Sequence, residues 1–218
     1  MFMKKISEVM NTLEARYVPR AQPTLRRTSE EDPNPFKILI ACLLSLRTTD
    51  VNTARATKKL FAEFTTPQET ASAQLEKLEE LVYSSGHYKR KAMILKSVSK
   101  DLLDRFGGEV PATKEELMSI KYVGPKTANI VLAFAYGQEV LPIDVHCHRI
   151  PNRLGWVETK TPEKTEKALE KILPRKYWKE FNTVIILFGK DICQPVSPWC
   201  SKCPVAGSCK RVGIKRSR

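Results

Sequence analysis

Residues 117–134 read LMSIKYVGPKTANIVLAF, and this stretch decides the fold class. It predicts a helix, a tight turn and a second helix. Gly124 offers the turn an unusual backbone conformation, or lets a ligand approach the chain closely. Pro125 suits the first position of the second helix, where its missing N–H is no loss. The unpaired N–H groups at such a helix start form a ready phosphate site. The plain alternative is an ordinary corner in a helical bundle.

Working outward, the helical period persists. Leu95, Val98, Leu102 and Phe106 fall on one face of a helix over Tyr88–Phe106. Asn34-Pro35 reads as an N-cap and first helical residue before FKILIACLLSL, and Thr66-Pro67 and Thr161-Pro162 repeat that signature. Thr113 with Glu116 reads as a capping box. Further helical stretches are Ala128–Tyr136, Glu163–Leu173 and Tyr177–Lys190. Clean alternation is brief, and its nearest instance, Val140–Val145, reads as a linker. No dinucleotide or P-loop glycine pattern occurs. The fold class is all-α.

Charge narrows the partner. Among 218 residues, 37 Lys and Arg face 24 Asp and Glu, a net +13. Such an excess is the electrostatic footprint of a nucleic-acid binder, because cationic side chains displace counterions from phosphates. Lys210, Arg211, Lys215, Arg216 and Arg218 crowd the last nine residues, and without those five the body still carries +8 of the +13. Aromatic residues are only 8%, which favours a duplex over a single-strand stacking platform. The largely apolar run Ile38–Leu46 is too short for a bilayer, which takes about 20 residues. MFMKKISEVM lacks the apolar core of a secretory signal. The expectation is an intracellular, DNA-associated monomer.

Four of the six cysteines, Cys193, Cys200, Cys203 and Cys209, lie in ICQPVSPWCSKCPVAGSCK. In a helical intracellular protein clustered thiols read as a metal site rather than disulfides. Structural zinc favours two short Cys pairs, and only Cys200–Cys203 is short, so a single loop around a four-iron cube fits better. Cys42 reads as core and Cys147 as a free thiol.

Lys126 falls in the first turn of the second hairpin helix, where the helix dipole disfavours an ammonium. An uncharged lysine can attack a sugar carbon and form a Schiff base; a charged one can hold phosphate. Eighteen residues on, LPIDVHCHR places Asp144 in an apolar segment beside His146, His148 and Arg149. An aspartate there can cap a helix, act chemically, or do both.

LLSLRTTDVN (43–52), GHYKRKA (86–92), VGPKTANIVL (123–132), IDVHCHR (143–149) and the cysteine loop occur in the order of one family. The chain resembles the endonuclease III DNA glycosylases of the helix-hairpin-helix superfamily. That resemblance implies a two-domain all-α fold: an N-terminal helix over 1–27 belonging to an iron–sulfur domain, a six-helix domain over 28–137, and the rest of the iron–sulfur domain with its basic tail over 138–218. It implies a [4Fe-4S] cluster on the four cysteines and duplex DNA with damaged bases or abasic sites as partner. A damaged pyrimidine would be turned out of the stack for Lys126 to attack, with Asp144 as its partner carboxylate. Relatives that only remove the base usually lack a lysine here, so Lys126 favours a combined glycosylase and lyase over the monofunctional alternative. A non-catalytic hairpin module with a zinc tail is the remaining alternative.

DNA contacts are expected from Arg47, His87, Lys91, Lys121, Tyr122, Val123, Gly124, Thr127 and His146. Several positions depart from the family. Its usual Leu-Pro-Gly-Val-Gly hairpin is Ile120-Lys121-Tyr122-Val123-Gly124. Tyr122 is costly there if the turn needs positive φ. Arg47 and His87 stand where relatives often carry Gln and Leu wedges that fill the gap left by the flipped base. QPVSPW between the first two cysteines lacks the basic residues common there, leaving Lys190, Lys202 and the tail to supply charge.

Overall fold

The computed structural model describes residues 2–20 and 32–218. The expected boundary between residues 27 and 28 lies outside the described residues. Among those described, the chain is helical with no strand. Two compact units emerge: Met1–Ala21 with Glu139–Arg218, and Gln22–Gln138.

The first unit contains α1 (Phe2–Tyr17), whose Ile6, Val9, Met10, Leu13 and Tyr17 form one buried stripe. The described residues of the second unit hold seven α-helices: α2 (Pro35–Ser45), α3 (Asp50–Phe61), α4 (Pro67–Ser72), α5 (Leu75–Val82), α6 (Tyr88–Phe106), α7 (Lys114–Ser119) and α8 (Pro125–Ala135). The first unit then continues with α9 (Val145–Leu154), α10 (Pro162–Ile172) and α11 (Trp178–Asp191).

In the second unit α2 is the core helix. Every residue from Ile38 to Leu44 is buried, which explains its apolar surface on all sides. Asn34 starts it: its side-chain oxygen accepts from the N–H groups of Phe36 (2.9 Å) and Lys37 (3.2 Å), with Pro35 at the first position. Thr66 and Thr161 cap α4 and α10 in the same way. The Thr66 cap is a reciprocal box with Glu69. At α7, Thr113 accepts from the Glu116 N–H, while the Glu116 carboxylate meets the Thr113 hydroxyl.

Helix α6 buries Leu95, Val98 and Leu102 as its period predicts, but also Lys91. It ends at Gly107, which is left-handed (φ 61). Helix α9 starts at the Asp144 cap that the sequence offered as one role of that residue; Pro151 lies inside it.

The first unit's core joins α1, α9 and α11 through Leu13, Cys147, Ile150, Phe181, Ile185 and Phe188. Tyr17 donates to Asp191 at 2.7 Å, fixing the end of α1 on α11. This arrangement brings the two ends of the sequence into one core.

Candidate functional site

The hairpin between α7 and α8 is closed by Val123 N–H donating to Ile120 carbonyl at 3.1 Å. Its left-handed residue is Tyr122 (φ 73), so the anticipated strain is present. Of the two roles expected of Gly124, the unusual dihedral is absent: the residue is extended (φ −95, ψ 175) and N-caps α8. Nothing lies within 4 Å of the position a Cβ would take there, so open space remains for close approach of a ligand. Val123 is buried and anchors the turn; Lys121 and Tyr122 are exposed, with the Lys121 ammonium 5.2 Å from the Tyr122 ring centre.

Lys126 is half-buried at the second position of α8. Beneath it, burial pushes the Cys42 thiol pKa up, while the Lys126 charge and a hydrogen bond from Thr127 pull it down. Thr127 is 4% exposed and its side chain faces Cys42, so any contact it makes with DNA falls to its backbone N–H in the first turn of α8.

Arg47 lies between α2 and α3, and His87 immediately precedes α6; both are exposed. Both are also left-handed, with φ 54 and 48. In the second unit, the described non-glycine residues of positive φ are Arg47, His87 and Tyr122. All three are among the expected DNA contacts. Non-glycine residues seldom adopt this conformation unless the surroundings over-determine it, and such residues concentrate at functional sites.

Lys91 departs most from expectation. It is 6% exposed, and its ammonium donates to the carbonyls of Leu44 and Ser85, each at 2.7 Å. Burial lowers its pKa to about 8. The side chain is committed inside the fold, so a phosphate contact is ruled out in this conformation. The signal was available: Lys91 precedes Leu95 by four residues and shares its buried face.

Asp144 N-caps α9. Its Oδ1 accepts from the N–H groups of His146 (2.8 Å) and Cys147 (2.9 Å). His146 is half-buried, its Nδ1 3.1 Å from Arg149 Nη2. A Cβ on Gly189 would strike that imidazole, so glycine permits this packing of α9 against α11.

Farther along α9, Arg149 donates to the Cys193 carbonyl at 2.9 Å. Arg153 donates to Cys193 Sγ (3.5 Å) and to the carbonyls of Gln194 and Pro195 (both 2.6 Å). Cys193, Cys200, Cys203 and Cys209 line one partly open cavity with Ile150, Phe188, Trp199 and Ile214, and no histidine or carboxylate is among its walls. None of the six cysteines is in a disulfide. Among the described residues no cluster of three or more His, Cys, Asp or Glu is gathered tightly enough for a single metal ion. Burial raises the thiol pKa values of Cys203 and Cys209, and the neighbouring cysteines raise them further. Holding Cys203 and Cys209 as thiolates therefore calls for a positively charged occupant.

The basic tail closes over this loop. Lys210 and Val212 N–H donate to the carbonyls of Leu154 (3.4 Å) and Arg153 (3.1 Å). Arg218 N–H donates to Pro198 (2.8 Å), and its guanidinium stacks 4.1 Å from the Trp199 ring centre.

A model of the HhH-GPD superfamily base excision DNA repair proteins matches residues 40–175. Endonuclease III of Thermotoga maritima is 45% identical over 182 residues, which are 84% of this chain and 85% of that protein. The chain belongs to the endonuclease III family of the HhH-GPD superfamily. Two solved structures agree. A non-covalent endonuclease III–DNA complex superposes with TM-score 0.83 at 33% identity, covering 96% of this chain and 95% of that one. A trapped endonuclease III–DNA covalent intermediate, an estranged-adenine complex, gives 0.81 at 32%, covering 96% of each. No helix among the described residues is long and apolar enough to cross a membrane.

Proposed function

We propose that this protein acts in base-excision repair as a bifunctional DNA glycosylase and AP lyase on oxidised pyrimidines in duplex DNA. The observation that carries this reading is Lys126, a half-buried amine at the start of α8, directly after a hairpin with an open backbone approach. The hairpin N–H groups and Lys121 hold phosphate without reading sequence. Arg47 and His87 fill the space left when the damaged nucleotide turns out of the stack.

Lys126, uncharged, attacks C1′ of the extruded nucleotide as the bond from C1′ to the base breaks, and the base leaves with a proton. The sugar ring opens to a Schiff base joining Nζ and C1′. Loss of a proton from C2′ expels the 3′ phosphate and cuts the strand; water then hydrolyses the imine and frees Lys126. Asp144 serves as the carboxylate that accepts the amine proton or stabilises positive charge on the sugar. Its cap bonds hold the carboxylate at a fixed angle to α9.

The four cysteines hold a [4Fe-4S] cluster in this reading. A cavity whose sulfur donors are four cysteines of one loop, only Cys200 and Cys203 of them closely spaced, with no histidine or carboxylate on its walls, supports a cube over zinc. The cluster supplies cross-linking of a loop that has little secondary structure of its own. The protein is a DNA-associated intracellular monomer.

Borohydride reduction on abasic-site duplex tests the lyase assignment. Wild-type protein leaves a covalent protein–DNA adduct, and Lys126→Ala leaves none. Absence of a wild-type adduct overturns the lyase and leaves base removal alone.

A further inference from the structure

Lys91 is a buried cation that the proposed chemistry does not use. Its two acceptors are particular. Leu44 is in the last turn of α2, three residues before Arg47, and Ser85 ends the short helical turn Tyr83–Ser85, two residues before His87. Carbonyls at helix ends lack intrahelical donors and carry the negative end of the dipole, so an ammonium between two of them is well placed. The Lys91 backbone N–H also donates to the His87 carbonyl at 3.0 Å. One residue thus touches the approach to both exposed, left-handed residues. A second tie runs alongside: Ser84 Oγ donates to the Asn52 carbonyl at 3.3 Å, linking the same turn to α3.

We propose that Lys91 is a positioning residue whose buried ammonium clamps the Arg47 and His87 loops at the separation needed to fill the stack behind an extruded nucleotide. The proposal rests on the wedge reading of Arg47 and His87 above. It explains why a lysine occupies an apolar helix face. A methylene stem fits the core, and a compact ammonium with several donors spans two carbonyls that one neutral hydroxyl would not reach. Both loops carry a left-handed non-glycine residue, a conformation that costs energy and needs support from its surroundings, and Lys91 is placed to give it.

The test uses the full chain with its cluster and a duplex carrying thymine glycol opposite 2-aminopurine, which brightens when unstacked. Arg47→Ala and His87→Ala come first. If neither weakens the fluorescence rise on binding, the wedge assignment fails, and the reason for a clamp fails with it. Lys91→Met keeps the apolar stem and removes the donors. The expected result is a lost fluorescence rise and base excision slowed about tenfold or more in single turnover. Borohydride trapping on single-stranded abasic DNA, which has no partner base to displace, stays near wild type. Lys91→Arg recovers part of the duplex activity because it keeps charge and donors. A full fluorescence rise in Lys91→Met, with Arg47→Ala defective, overturns the clamp alone. Equal losses on duplex and single strand also overturn it, since they mark general structural damage. Should Lys91→Met not fold, Lys91→Gln, which is uncharged and shorter, carries the comparison: a selective duplex loss supports the clamp, and an equal loss or none overturns it.

Discussion

At the scale of single residues, backbone conformation separates roles that side-chain chemistry leaves mixed. Tyr122, Arg47 and His87 share the left-handed region, where a Cβ costs about 1–2 kcal/mol. Tyr122 is 42% exposed, so the contacts of the covered part of its side chain offset part of that cost. Tyr122→Gly is therefore expected to raise stability by at most about 1 kcal/mol, seen as a slightly higher urea midpoint. A lower midpoint would show that the ring and its Lys121 contact outweigh the strain. Gly124 shows the converse. Its sequence context suggested a special dihedral, yet its backbone is ordinary and its use is the open space beside it. Lys91 and Thr127 read as surface contacts from their chemistry, and burial assigns both side chains to the interior.

At the scale of elements, α9 couples a cap to a candidate catalytic group. Asp144 uses one oxygen on two backbone N–H groups, so removing the side chain damages both helix and chemistry. Asparagine caps as well as aspartate does, but it cannot accept a proton or carry charge. Asp144→Asn is expected to keep stability within about 0.5 kcal/mol of wild type, whereas Asp144→Ala loses about 1 kcal/mol. Both should lose most base excision. Thermal melts with single-turnover assays check this, and an active, stable Asp144→Asn would reduce Asp144 to a cap. The caps at Asn34, Thr66 and Thr161 were legible because each is a local pattern of a polar residue followed by proline. The body of helix α9 was not, because its HCHRIPNRL run holds a proline and mixed polarity. Its burial against α11 decides its state.

At the scale of the whole molecule, the net charge of +13 is divided by the fold. The tail reads in sequence as loose phosphate attraction. In the structure its backbone is hydrogen-bonded to α9 and to the cysteine loop, and Ile214 lines the cysteine cavity. Deleting residues 212–218 removes three of the positive charges, Lys215, Arg216 and Arg218. The expected main effect is loss of cover: visible absorbance of the proposed cluster should bleach several-fold faster under chelator or oxidant. Helical content should stay unchanged by circular dichroism. If bleaching is unaltered while the salt dependence of DNA binding collapses, the tail works as a phosphate contact instead. Each phosphate contact contributes a slope of about 0.9 in that dependence.

The sequence by itself determined the helical class, the four-cysteine loop, the hairpin, and the candidacy of Lys126 and Asp144. Each is carried by residues close in the chain, through a cap, a short spacing or a period of 3.6. Only the tertiary structure decided which cations face inward, that the tail covers the cysteines, and that one lysine joins the approaches to Arg47 and His87. These depend on pairs such as Lys91 with Leu44, 47 residues apart. No local pattern encodes such a pair. Burial selects it, because an ammonium excluded from water must find acceptors wherever the packed chain provides them.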